Sequence, residues 1–137
     1  MEAVLQSIIA GAPVLALHLG VAFGTLIVGV VVYTWITPYE DIKLVRQGNG
    51  AAAVALGGAI LGFAIPIAAS LAGSVTLLDI LLWGALTVVI QIVAFKIVDF
   101  VLIGLPRRIQ AGEMPAAILL VFVKLAVAVI VATAVNR

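Results

Sequence analysis

Four long apolar stretches dominate the chain, at residues 13–36, 50–72, 77–103 and 115–135. Each is long enough to cross a bilayer, since a helix needs roughly 20 apolar residues to span about 30 Å of hydrocarbon. Helices are the expected element, because they satisfy every backbone N–H and C=O within one segment. Strands of a membrane barrel would instead alternate over about ten residues at a time. The predicted fold class is therefore an all-α membrane protein, with four transmembrane helices in a single membrane domain over residues 1–137. Composition removes the soluble alternative. The chain is 66% hydrophobic and only 9% Asp, Glu, Lys or Arg, against about a quarter charged in soluble domains. A globule of 137 residues cannot hide that much apolar surface.

Several functions are excluded on the same ground. A formal net charge of +1 supplies no basic stripe for nucleic acid. There is no Cys, so thiol chemistry, disulfides and thiolate metal sites are absent. No Lys or Arg precedes the first apolar stretch, so it is read as a retained span and not a cleaved leader.

Basic residues set the expected orientation. The loop at 37–49 carries Lys43 and Arg46, and the loop at 104–114 carries Arg107 and Arg108. The short loop at 73–76 carries none. The positive-inside rule then places the two basic loops in the cytoplasm and both termini outside, with Arg137 the single exception. Trp35, Tyr33 and Tyr39 are expected at the inner interface and Trp83 toward the outer one, where amphipathic rings prefer to lie.

A shift of 64 positions lays one hairpin on the other, with residues 48–53 falling on 112–117 and Lys43 on Arg107. Repeat 1 spans about 13–72 and repeat 2 about 77–135. Thr37-Pro38-Tyr39-Glu40 reads as a capping box opening a short interfacial helix. Lys43 and Arg46 suit the end of that helix, and Gly48 stops it. In the second copy Pro106 opens the short helix and Gly112 stops it. Both loops face one side, so the repeats are parallel, related by a pseudo-two-fold along the membrane normal.

The runs Ile36-Thr37-Pro38-Tyr39-Glu40, Asn49-Gly50-Ala51-Ala52-Ala53 and Gly62-Phe63-Ala64-Ile65-Pro66, with Gly58 and the stretch from Trp83-Gly84 to Gln91, carry a resemblance. The chain resembles the YjfL-type bacterial inner-membrane proteins, whose domain is known as domain of unknown function 350. The resemblance covers nearly the whole chain. It implies four spans, two tandem copies and a bacterial plasma membrane, and it implies no activity or cofactor. Relatives encoded near envelope-stress proteins imply a part in membrane maintenance. The second copy lacks the Gly-Phe-x-Ile-Pro run, so the halves are not expected to be equivalent.

Polar residues inside the spans are the candidates for a site. Lys124 lies roughly 13 Å deep, at 1.5 Å per residue. A central Lys costs about 2.5–3.5 kcal/mol on insertion scales, so it should face protein or water. Its stripe with Ala128 and Ala132 is otherwise small. It reads either as an anion-attracting or proton-handling group, or as a Lys that pairs with one polar residue or snorkels past Leu120. Lys96 and Asp99 are three apart and expected to pair with each other, at the interface or in a vestibule. Gln91 is placed mid-span, either bonding Lys124 or holding two helices together. His18, in the outer part of the first span and without a second His or a Cys, is a poor metal ligand; it reads as a pH sensor or as a satisfied interface His.

Ala16, Gly20 and Gly24, and Gly58 and Gly62, form small-residue stripes that let helices approach closely, within one chain or between chains. Pro66 should kink its helix and free a carbonyl near Gly62, acting as a hinge or a fixed bend. Asp79 reads as the capping partner of Thr76. With no nucleophile–base set or phosphate loop, enzyme chemistry is not expected. Three functions remain open: a non-enzymatic, homo-oligomeric subunit in envelope maintenance; a small channel or transporter with a polar path through Lys124, Gln91, Lys96, Asp99 and His18; and a docking platform at the basic loops.

Overall fold

The computed structural model describes residues 1–36, 41–73 and 76–135. Among these it is a helical bundle: α1 (Glu2–Ile36), α2 (Asp41–Arg46), α3 (Gly50–Gly73), α4 (Leu77–Val101), α5 (Leu105–Gln110) and α6 (Met114–Val135). Four of these, α1, α3, α4 and α6, are long and apolar enough to cross a membrane. The capping box expected at residues 37–40 lies outside the described residues.

The spans close as their sequences dictate, with one exception. Thr76 caps α4, its hydroxyl accepting from the Asp79 N–H at 3.1 Å. Gly48 and Gly112 have φ of +88° and +84°, a left-handed conformation that Gly adopts without penalty. At the end of α2 the Gly48 N–H reaches the Val45 carbonyl and the Asn49 N–H the Leu44 carbonyl, both at 3.0 Å. The same two bonds recur 64 positions on, from Gly112 to Ile109 and from Glu113 to Arg108, both at 2.9 Å. This is the Schellman closure of a helix. Gly104, at φ +94°, breaks the chain between α4 and α5, where the loop at 104–114 was expected to begin.

The exception is α1. It was expected from about residue 13 and instead begins at Glu2, running 35 residues with Pro13 inside it. At 1.5 Å per residue that is about 52 Å, well beyond the hydrocarbon thickness. Pro removes only one intrahelical bond, and the helix-favouring Ala, Leu and Gln residues around it carry the helix through. All of residues 1–17 are exposed, and α1 joins the bundle only through its second half, burying Ala22, Gly29 and Tyr33.

α3 is the central helix and packs most closely on α6, with α1 and α4 beside it. Close approach rests on small residues. A Cβ on Gly58 would lie 2.5 Å from a Val121 methyl, and one on Gly62 would lie 2.5 Å from the Phe95 ring. Between lipid-immersed helices it is this packing contact, and not expulsion from water, that favours association. One buried cluster joins Ala51, Ala52 and Ala55 of α3 to Leu105 and Ile109 of α5 and Ala116, Ala117 and Leu120 of α6. Asn49 ties the same end together. Its side-chain carbonyl accepts from the Ala52 N–H at 3.0 Å, while its amide donates to the carbonyls of Ile109 and Gln110. Outward residues are apolar, as lipid requires: Phe122 and Ile130 are 66% and 70% exposed.

Candidate functional site

The inward face of α6 reads Ala117, Leu120, Lys124 and Ala128, all buried. That of α4 reads Gln91, Phe95 and Val98. Helical periodicity therefore turns one cation and one amide into the interior. The Lys124 side chain is 3% exposed, and its ammonium lies 3.2 Å from an Asp99 carboxylate oxygen. The other Asp99 oxygen accepts the Tyr33 hydroxyl at 3.1 Å. The ammonium also donates to that hydroxyl, which closes a three-membered network among α1, α4 and α6.

Aromatic rings enclose the network. Tyr33, Phe63 and Phe95 pack edge-to-face with centroids 5.3–5.9 Å apart. The Lys124 nitrogen lies 4.6 Å from the Tyr33 centroid and 5.0 Å from that of Phe95, within cation–π range. In a low-dielectric interior an ion pair persists only when its remaining bonding capacity is met. Here the phenol and the ring faces meet it. The outcome differs from both inward snorkelling and exposure to water, because Lys124 is sealed by partners from two other helices. Tyr33, expected as an interface anchor, is 4% exposed and belongs to this network, whereas Trp35 is 79% exposed.

Gln91 does not bond Lys124. Its amide donates to the Gly62 carbonyl at 2.6 Å. The reason is local: Pro66 has no N–H to offer the carbonyl four residues earlier, and Gln91 of the neighbouring helix takes it. The Gln91 side-chain oxygen is buried and has no hydrogen-bond partner among the described residues.

The model of the family described as Domain of Unknown Function (DUF350) matches residues 7–135. The chain belongs to the DUF350 family. It is similar to the UPF0719 inner membrane protein YjfL of Escherichia coli strain K12, with 32% identity over 91 residues, covering 66% of this chain and 67% of that protein. The corresponding protein of Escherichia coli O157:H7 matches to the same extent. No solved structure matches the chain. With four apolar helices of spanning length, this DUF350 protein is a multi-pass inner-membrane protein.

The remaining polar residues of the DUF350 chain separate from the network. Lys96 does not pair with Asp99; it donates to the Ile36 carbonyl at 3.0 Å. An i,i+3 pair stabilises a helix by only about 0.2–0.5 kcal/mol. Asp99 turns inward to the buried cation, and Lys96 satisfies one of the carbonyls left open at the end of α1. His18 is part-exposed on α1 and takes no part in the network. Gly20 and Gly24 have no close neighbour among the described residues: a Cβ on either would meet nothing within 4 Å. Lys43, Arg46, Arg107 and Arg108 are exposed at the α2/α5 end. Arg108 pairs with Glu113 at 3.0 Å, and Arg107 lines a groove with Asp99, Phe100, Ile103 and Gln110.

Tyr33 and Asn49 are the residues that sequence reasoning missed. Asn49 carried a signal, standing between a Gly stop and the Ala-rich start of a span, where a helix cap belongs. Tyr33 carried none, because an aromatic near the end of a span ordinarily marks an interface.

Proposed function

We propose that this protein is a non-enzymatic integral-membrane subunit that works by assembling with copies of itself in envelope maintenance, with its α2/α5 end in the cytoplasm and both termini outside. The observation that carries the reading is the burial of Lys124, 2% exposed and bonded to Asp99 and Tyr33. A residue held that way neither lines a pore nor faces an oligomer axis. Its physical part is to fix the rotation of α1, α4 and α6 against one another, as a buried polar network can. A continuous polar path through Lys124, Gln91, Lys96, Asp99 and His18 is less well supported, since only Lys124 and Asp99 join each other, while Gln91 and Lys96 bond the Gly62 and Ile36 carbonyls.

Assembly is supported by the outer face of α1. Ala16, Gly20 and Gly24 are all exposed, and small residues there let a second helix approach closely. Gly24 also borders an apolar groove of about 580 Å³ with Thr25 and Val28 of α1 and Ala85 and Val89 of α4. The orientation follows from the four basic residues of the two α2/α5-side loops. Two tandem hairpins are supported by the same Schellman bonds recurring at Gly48 and Gly112. The envelope role is proposed only from the relatives encoded near envelope-stress proteins.

The chain has no native Cys, so one introduced thiol reads assembly directly. Gly24→Cys should give disulfide-linked dimers in oxidised membranes, and Leu119→Cys on the outer face of α6 should not. Absence of Gly24→Cys dimers would sink the assembly. Ion flux in proteoliposomes that disappears on Lys124→Leu would replace the reading with a channel.

A further inference from the structure

We propose that the notch between α4 and α5 is a binding site for one anionic phospholipid, with its phosphate on Arg107 and an acyl chain along Phe100 and Ile103. The notch exists because Gly104, at φ +94°, turns the chain sharply between the two helices. Leu105 is buried beyond the turn, so α5 is anchored and the notch is held open. The space encloses about 590 Å³ and is walled by Asp99, Phe100, Ile103, Pro106, Arg107 and Gln110.

Three observations select the occupant. First, the apolar wall faces outward: Phe100 at the end of α4 and Ile103 in the turn after it are 76% and 82% exposed. Second, the notch carries one uncompensated positive charge. Asp99 at its inner end is neutralised by Lys124 at 3.2 Å. Arg107 at its rim has no partner among the described residues, while the adjacent Arg108 is satisfied by Glu113 at 3.0 Å. Third, that charge stands in the short helix that directly follows α4, an apolar helix of 25 residues, and a helix of that length reaches the headgroups at its ends. Basic pockets beside spans at the headgroup level take acidic headgroups, and a guanidinium grips phosphate through two parallel N–H bonds. Phosphate in solution would meet the same Arg107 but gain nothing from Phe100 and Ile103. The site is independent of self-assembly and of which leaflet the α2/α5 end meets.

Native mass spectrometry of the intact protein, released from detergent, tests it. Phosphatidylglycerol and phosphatidylethanolamine with identical acyl chains are titrated against wild type, R107Q and R108Q. Wild type and R108Q should retain phosphatidylglycerol in preference to phosphatidylethanolamine. R107Q should lose occupancy about fivefold, the factor that follows from about 1 kcal/mol per basic residue at a membrane surface. Inorganic phosphate at the same concentration should not displace the lipid. Equal retention by R107Q and wild type, or equal retention of the two lipids by wild type, would overturn the site. Displacement by inorganic phosphate would reassign it to a soluble anion.

Discussion

Gly20 and Gly24 on α1 and Gly58 and Gly62 on α3 have the same spacing in similarly apolar helices, and they meet opposite surroundings. Beside Gly58 and Gly62 a methyl group would strike Val121 and Phe95 at 2.5 Å; beside Gly20 and Gly24 it would meet nothing within 4 Å. The first stripe is consumed in bringing α3 against α6 and α4. The second is left on the outside of a helix whose first 17 residues are wholly exposed. Small-residue spacing thus marks a helix able to come close to another, and a neighbour already in place decides whether the contact is internal. The closed region also holds the charge network, so the interior around α3 is specified by fit and by charge together, whereas the α1 face is specified by neither.

The comparison predicts graded effects. The largest belongs to the network. Lys124→Leu strands the Asp99 carboxylate beside the aromatic cluster, and breaking a buried pair costs about 3–5 kcal/mol. Unfolding in detergent should show that loss, and the double variant Lys124→Leu/Asp99→Leu should recover most of it. A single variant as stable as wild type would mean that the interior is not closed around the pair. An intermediate effect belongs to the packed glycines. Gly62→Ala drives a methyl into the Phe95 ring, which is already wedged against Tyr33 and Phe63, and overpacking of this kind costs about 1–3 kcal/mol. Loss of the Gln91 bond to the Gly62 carbonyl would add to it. The smallest belongs to the open stripe. Gly24→Ala should cost the single chain no stability, since a Cβ there meets nothing within 4 Å among the described residues and helix propensity favours Ala over Gly by up to about 1 kcal/mol. Equal losses for Gly24→Ala and Gly62→Ala in a dilute, singly dispersed chain would erase the distinction between the two stripes.

Residue by residue, the architecture was legible wherever the governing physics is local. Gly48 and Gly112 end short helices because each needs positive φ, and Thr76 starts α4 because its hydroxyl reaches the Asp79 N–H. Pro66 had to release the Gly62 carbonyl, and that this carbonyl is accepted elsewhere was implicit in the missing N–H. The early start of α1 was obscured because Pro13 reads as a helix opener, although a helix already under way can pass through it. The candidate site was legible only in part. Lys124 was identifiable from the cost of a cation in hydrocarbon, but its partners were not.

Hydropathy and charge sum along the chain without reference to anything distant, so the four spans, their loops and the inward demand of Lys124 are set locally. What answers that demand depends on how each helix is rotated about its axis and how near its neighbours stand. Tyr33 lies 91 positions from Lys124, and no local pattern connects them. The same holds for the two glycine stripes, identical in spacing until α6 and α4 close over one of them. Helix packing is what turns Asp99 to Lys124 and not to Lys96, and what fills the space beside Gly58 and Gly62 while that beside Gly20 and Gly24 stays open.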